Sequence, residues 1–293
     1  MPREKRGVKS GFVAVAGRPN VGKSTLVNAL CGEKVAITSK VPATTRRRIF
    51  GVANGPEFQL ALVDLPGFQR PLDELTERMQ ATVDASFDDV DTVLLVVDAR
   101  GRVGAGDRFV ARRVFGLGKP VVIAVNKIDR LKPGHVVSQM KAAAALGDFH
   151  ALHPVSAKTR DGIGELRDDL VSLLPEGPAY FPREQTTDLT LAERVSEVVR
   201  EKALHLTREE VPHAVLVEVD EIGEKVVRAI VYVETESQKG ILVGKRGAMV
   251  REIGTRARPE VEAILGHRVF LELVVKVRPK WRRDPKMLER LGL

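Results

Sequence analysis

The sequence predicts an α/β domain built on a mostly parallel, doubly wound sheet, followed by a smaller α+β domain. Three observations carry this. Continuous apolar, β-branched runs alternate with helix-period segments as far as Leu174; a Gly-x-x-x-x-Gly-Lys-Ser segment follows the first run at once; and Pro175, Gly177, Pro178 and Pro182 break all regular pattern before a different element order begins. At 293 residues the chain has room for two domains that each bury a core.

The first strand is predicted at Gly11–Ala16, followed by strands at Phe58–Asp64, Val93–Val97, Val121–Asn126 and near His153–Val155. Their unbroken apolar character suits parallel strands covered on both faces. Helices are expected between them at Lys23–Leu30, Leu72–Ser86, Asp107–Phe115, Val136–Ala145 and Ile163–Leu174. The boundaries that follow are a first domain over 1–177, a linker over 178–190 and a second domain over 191–293. In the second part the pattern gives a helix over Leu191–Leu206 and alternating strands at Ala214–Asp220 and Lys225–Glu234. A short helical turn, a Gly-x-x-Gly loop, a helix ending near Gly266 and a strand over His267–Val277 complete it.

Bulk properties exclude several function classes. Apolar runs such as Val93–Val97 fall far short of the roughly 20 residues that span a bilayer, and the basic N-terminus leads into a strand without the apolar core of a secretion signal. The single cysteine, Cys31, forms no intrachain disulfide and fits a reducing, cytoplasmic compartment. Beside Leu26 and Leu30 it reads as a small buried hydrophobe. The histidines are scattered, and His150 and His153 run into Pro154 without further ligands, so no zinc site is expected. The net charge of +8 is localised: Leu189–Lys239 holds 7 basic and 11 acidic residues, Gly240–Arg283 holds 11 basic and 4 acidic. A polyanionic partner for the second domain follows.

The chemistry sits at strand ends. Gly17-Arg18-Pro19-Asn20-Val21-Gly22-Lys23-Ser24, with Thr25 after it, is a phosphate loop in strand–loop–helix context. Its N–H groups close around phosphate, Lys23 holds the β/γ-phosphates and the Ser24 hydroxyl ligates Mg²⁺. Asp64-Leu65-Pro66-Gly67 puts a carboxylate at the metal's water shell and a Gly67 N–H at the γ-phosphate. Between them Thr44 and Thr45 lie in a polar, basic switch segment, either of which can complete the metal's coordination, with Thr45 taken as the ligand. Asn126-Lys127-Ile128-Asp129 reads the base: Asp129 accepts from guanine N1 and N2, Lys127 lies along the ring, and Ser156-Ala157-Lys158 turns N–H groups toward O6. ATP would leave the carboxylate unpaired, so GTP, hydrolysed to GDP, is the expected substrate. Phe68 stands where many GTPases keep a water-orienting glutamine, with Gln69 one place too far along, so slow intrinsic turnover is expected. Asn20 either shapes the loop or, with backbone oxygens of the switch segment, holds K⁺ against the phosphates.

The chain resembles the Era family of bacterial GTPases over essentially its whole length. The resemblance is carried by Gly17–Thr25, V-A-I-T-S at Val35–Ser39, T-T-R at Thr44–Arg46, F-P-R-E-Q-T-T-D at Phe181–Asp188, R-E-K at Arg200–Lys202 and V-G-K-R-G at Val243–Gly247. It implies a P-loop GTPase domain followed by a type II KH domain that binds 16S ribosomal RNA near its 3′ end and assists 30S subunit maturation, in a chain that acts as a monomer. The bottom-up reading agrees in kind: a Gly-x-x-Gly turn between helices clamps single-stranded backbone. Gly244 and Gly247 would permit the approach, Lys245, Arg246 and Arg251 would supply charge, and Lys276, Arg278, Lys280 and Arg282 would add phosphate contacts. Trp281 either stacks on a base or packs against its own domain. The segment after Gly67 is shorter than in many relatives, and Pro279-Lys280 replaces the family's small residue and glycine before the tryptophan. Two other readings compete: a GTPase whose basic segment meets an anionic membrane surface peripherally, and a tRNA-modification GTPase, which would need a different appended domain.

Overall fold

The computed structural model of the chain describes residues 8–42, 44–68 and 71–293. Two compact units result, one of Met1–Ala36, Thr45–Arg70 and Met79–Asp188, the other of Ile37–Thr44, Pro71–Arg78 and Leu189–Leu293.

The first unit is a layered sheet. Its strands are β1 (Val8–Ala16), β2 (Ile49–Asn54), β3 (Phe58–Asp64), β4 (Thr92–Asp98), β5 (Val121–Asn126), β6 (Ala151–Val155) and β7 (Glu176–Gly177). The helices are α1 (Lys23–Cys31), α2 (Glu74–Ser86, whose first turn is counted with the other unit), α3 (Ala105–Phe115), α4 (Pro133–Ala144) and α5 (Ile163–Ser172). The order is β2-β3-β1-β4-β5-β6; β3, β1, β4, β5 and β6 run parallel, β2 pairs antiparallel with β3, and β7 caps the start of β1 antiparallel. Alternation along β1 decides the two cores. Val13 and Val15 pack with Leu26, Leu30, Leu166 and Leu170 of α1 and α5, while Ala14 and Ala16 face the layer of Val83, Val110 and Val114. After β1 the chain builds β3 on one side and then crosses to β4 on the other, so the carboxyl ends of these strands open on the crevice where such sheets bind ligands.

Strand β2 was not foreseen from the sequence, because it follows an arginine-rich stretch and is interrupted by Gly51. That glycine is a packing requirement: a Cβ there would lie 2.7 Å from Val27 Cγ1 and 2.8 Å from Cys31 Sγ. Burial under β2 also pushes the Cys31 thiol up to about 12, which keeps it protonated and inert.

The segment expected as a linker is fastened along the outer edge of β2. Val52 N–H donates to Thr186 O at 2.8 Å, Phe50 N–H to Asp188 Oδ1 at 2.8 Å, and Thr187 bridges Gly51. Gln59, 2% exposed, accepts the N–H groups of Tyr180 and Phe181 and returns a bond to Phe181 O.

The second unit holds α6 (Leu191–Leu206), α7 (Val211–Ala214), β8 (Leu216–Ile222), β9 (Val226–Val233), α8 (Glu236–Val243), α9 (Ala248–Leu265), β10 (Phe270–Val277) and α10 (Pro285–Arg290). Thr190 starts α6 by a capping box, its hydroxyl accepting Glu193 N–H while the Glu193 carboxylate accepts Thr190 N–H. The sheet order is β10-β9-β8, with β9 and β10 parallel and β8 and β9 antiparallel. Val195, Val199 and Ala203 of α6 and Ile253, Ala257 and Val261 of α9 close over Val227, Ala229 and Val231 of β9. This is the α-β-β-α-α-β order that the sequence predicts for a type II KH domain, with α7 and α10 as additions.

Trp281 corrects one expectation. It is fully buried and its indole Nε1 donates to Ala214 O at 2.8 Å, so it packs against its own domain and offers no ring to a base. A left-handed Lys280 (φ 54°) leads into Trp281, and α10 follows, capped by Asp284 accepting Met287 N–H, with Met287 and Leu288 also buried. Trp281→Ala should therefore destabilise the second unit by about 3–5 kcal/mol, with the Ala214 carbonyl left unpaired as well. Chemical denaturation of the full chain reads this directly.

Candidate nucleotide site and nucleic-acid loop

The phosphate loop leaves β1 at Gly17 and enters α1 at Lys23. Gly22 must be glycine: it takes φ 100°, and a Cβ would come 2.4 Å from Asn126 Nδ2. That contact identifies Asn126 as the keystone of the site. Its amide donates to Val21 O at 3.0 Å, and its oxygen accepts Lys127 N–H at 2.8 Å and Ala157 N–H at 3.0 Å. One buried side chain thus joins the phosphate loop, the base-reading loop and the Ser156-Ala157-Lys158 loop. Of the N–H groups expected to face O6, that of Ala157 is engaged by Asn126 here, and Lys158 is exposed beside it. Ser156 donates to Asp129 Oδ1 at 2.8 Å, fixing the carboxylate that would meet guanine.

At the phosphate end, Ser24 Oγ and Thr45 Oγ1 donate to the same Asp64 oxygen at 2.7 and 3.2 Å and lie 3.1 Å from each other. Thr44 instead donates to Val41 O at 2.8 Å, which separates the two threonines. Asp64 is fully buried, and its other oxygen, Oδ1, has no hydrogen-bond partner. Burial drives this carboxyl up, against the pull of Lys23 and the two hydroxyls. A half-satisfied buried carboxylate with two converging hydroxyls is an oxygen-only donor set of the kind Mg²⁺ takes. Lys23, 7% exposed, has its ammonium lowered to about 8 by burial, partly offset by Asp64, and donates to Gly17 O and Arg18 O. These are the carbonyls at the mouth of the loop.

Gly67 is buried against Pro19, so the Asp64–Gly67 turn abuts the phosphate loop. Phe68 turns away from it: 6% exposed, it stacks on Phe87 at 5.9 Å with Arg113 over its face. Gln69 lies outside the described residues. Asn20 is exposed with φ 64°, and its carbonyl accepts Lys127 Nζ. Thr25 occupies the first turn of α1. Sequence reading missed Asp98, at the end of β4, and Asp107, in the first turn of α3, which bind Lys127 and Arg18 at 2.8 and 2.7 Å. The signal available was position alone: for Asp98 an acidic residue at the carboxyl end of a parallel strand, for Asp107 an acidic residue in the first turn of a helix.

In the second unit Gly244-Lys245-Arg246-Gly247 joins α8 to α9. Gly244 and Gly247 take φ 70° and 77°, and a Cβ on Gly244 would strike Met249 N at 2.8 Å. Lys245, Arg246 and Arg251 are exposed around this turn, as are Lys276 and Lys280 farther along the chain. Arg278 is ion-paired with Asp284 at 2.9 Å and Arg282 with Asp73 at 2.8 Å, so two of the expected phosphate contacts already have protein partners. Arg200 and Lys202 likewise serve structure, paired with Glu197 and with Glu201 and Glu260. Among the described residues no helix is long and apolar enough to cross a membrane.

Comparison with known proteins gives matches over nearly the whole chain. A family model described as "50S ribosome-binding GTPase" matches residues 12–127, and a KH-domain model matches residues 210–282. The chain is 42% identical over 290 residues to GTPase Era of Heliobacterium modesticaldum, covering 97% of each. It is 42% identical over 294 residues to GTPase Era of Mycolicibacterium smegmatis, covering 97% of this chain and 98% of that protein. Among solved structures, Era in complex with MgGDPNP and nucleotides 1506–1542 of 16S ribosomal RNA superposes with a TM-score of 0.92 at 39% identity, over 97% of this chain and 99% of that one. A variant of Aquifex aeolicus Era bound to GDP·AlF₄⁻ gives a TM-score of 0.93 at 38% identity, over the same shares.

Proposed function

The chain belongs to the Era family of GTPases, and from that premise we propose that it binds 16S ribosomal RNA near its 3′ end through the 244–247 turn and uses GTP hydrolysis to time a step of 30S subunit maturation. The single observation that supports this most is the near full-length match to a solved structure holding both a GTP analogue with Mg²⁺ and that RNA segment. The first unit supplies a guanine-nucleotide site, and the second presents a basic Gly-x-x-Gly turn. A gel shift with the 3′-terminal RNA segment beside pelleting with anionic liposomes tests the reading. Binding to RNA is expected; pelleting with lipid alone would favour the peripheral membrane alternative.

Within the site, Lys23 and the loop N–H groups bind and orient the phosphates, and Gly67 N–H faces the γ-phosphate. Ser24, Thr45 and Asp64 would hold Mg²⁺, which when bound neutralises charge on the β- and γ-oxygens. Thr45 comes from the switch segment, and its hydroxyl would complete the metal's coordination with the triphosphate bound. Thr45→Ala should lower hydrolysis by about 10- to 100-fold while GDP affinity holds, and Thr44→Ala should leave both near wild type. Single-turnover hydrolysis with a GDP titration separates these.

With the Phe68 ring packed on Phe87, no side chain at that position orients water, and intrinsic turnover should be slow. For Asn20, exposed on the phosphate loop, the reading is that its side chain holds K⁺ against the phosphates with backbone oxygens of the switch segment. Hydrolysis should therefore run faster in K⁺ than in Na⁺ buffer; equal rates would return Asn20 to a purely structural role.

A further inference from the structure

Between β4 and α3 the chain runs from Asp98 to Asp107; Asp107 holds the Arg18 end of the Arg18-Pro19-Asn20 turn of the phosphate loop directly, and Asp98 holds the Asn20 end through Lys127. Asp107 is 3% exposed; its Oδ1 accepts Arg18 Nε at 2.7 Å, and its Oδ2 accepts Gly104 N–H at 2.9 Å, which fixes the carboxylate itself. The Arg18 stem lies across the first turn of α3, where Gly106 leaves the space: a Cβ there would come 2.6 Å from Arg18 Cδ. At the other end Asp98 Oδ2 accepts Lys127 Nζ at 2.8 Å and Arg100 Nη2 at 2.7 Å, and Lys127 Nζ also donates to Asn20 O. Burial works to raise the Asp98 carboxyl, but the bonds from Arg100 and Lys127 outweigh it and hold the group at about 2, ionised throughout the working pH range.

A loop that binds phosphate through its own N–H groups gains affinity from being held in the bound shape beforehand. Residues 18–20 form the outer bend of this loop and carry no internal ladder. Their geometry is fixed from outside, by charge-assisted bonds, which are the strong class of hydrogen bond. Lys127 Nζ is the group that ties the base loop to the phosphate loop, and Asp98 holds that ammonium in place.

We propose that Asp98 and Asp107 are positioning residues that brace the phosphate loop from the β4–α3 segment and set the lifetime of bound guanine nucleotide. The proposal rests on the guanine-nucleotide reading of the site. It concerns retention of GTP and GDP alike, since the braced atoms belong to residues 18–20 and 127 and not to Lys23, Ser24 or Thr45.

The test is release of a fluorescent GDP analogue from the full chain, with Asp98→Asn, Asp107→Asn and the double variant. Each single change should speed release about tenfold, the loss of one hydrogen bond between charged groups. In Na⁺ buffer, where a K⁺ contact of Asn20 contributes nothing, kcat at saturating GTP should stay within about twofold while KM rises, a split that a general loss of structure would not give. Asp98→Glu should recover most of the retention, and Arg102→Ala, exposed on the same segment, should release at the wild-type rate. Arg18→Met removes the Asp107 pair from the loop side with the α3 cap intact, and decides the matter if Asp107→Asn folds poorly. Wild-type release rates in Asp98→Asn and Arg18→Met would overturn the brace, as would a fall in kcat that tracks a lowered melting temperature. A wild-type chain that retained no GDP would overturn the nucleotide site itself.

Discussion

Asp129→Asn should cost about 10⁴-fold in affinity for GTP and shift preference to XTP, because a site built to pair polar edges rejects the partner that leaves them unpaired. Ser156 already fixes the Asp129 carboxylate through a 2.8 Å bond, so the acceptor pair that meets guanine N1 and N2 is pre-set. An asparagine puts an amide N–H₂ opposite the guanine amino group, two donors facing each other. Xanthine carries an oxygen at that position and turns the clash into a bond. Phosphate contacts are untouched, so XTP hydrolysis at saturation should proceed near the wild-type GTP rate. Calorimetry with both nucleotides checks the exchange, and retained GTP affinity would remove Asp129 from the base site.

Gly247→Asp should reduce binding to the 3′-terminal RNA segment by about 100-fold or more while leaving basal GTP hydrolysis in place. Two effects add. A non-glycine residue at φ 77° strains the turn, although the space around it is open, with no atom within 4 Å of the point where a Cβ would stand. The larger effect is electrostatic, since a carboxylate enters between Lys245, Arg246 and the phosphate backbone they would contact, repelling it and neutralising their charge. Gel shifts at two salt concentrations distinguish the two, because the electrostatic part fades as salt rises.

What was legible in the sequence was what local spacing dictates. Gly17–Ser24, Asp64–Gly67, Asn126–Asp129 and Ser156–Lys158 each sit in a short loop at a strand end, where residue types follow from the backbone and the ligand they serve. The separate roles of Thr44 and Thr45 needed coordinates, because both are hydroxyls in one polar stretch and only Thr45 turns to Asp64. Trp281 was ambiguous for a different reason: its indole partner, Ala214 O, is 67 residues away in the chain. Asp98 and Asp107 gave even less signal, being ordinary acidic residues until the fold brings Lys127 and Arg18 to them. Strand β2 escaped because the residues that require Gly51, Val27 and Cys31, lie on another element.

The stretch seated along β2 has a consequence for behaviour in a crowded cell. An outermost strand with free N–H and C=O groups is a template on which another chain can add itself, the first step toward polymeric association. Here Thr186, Thr187 and Asp188 already satisfy that border from within the same molecule. The proline-broken stretch that looks in sequence like slack between two domains thus works as a selvedge, finishing this border of the sheet with backbone and side-chain partners from the same chain.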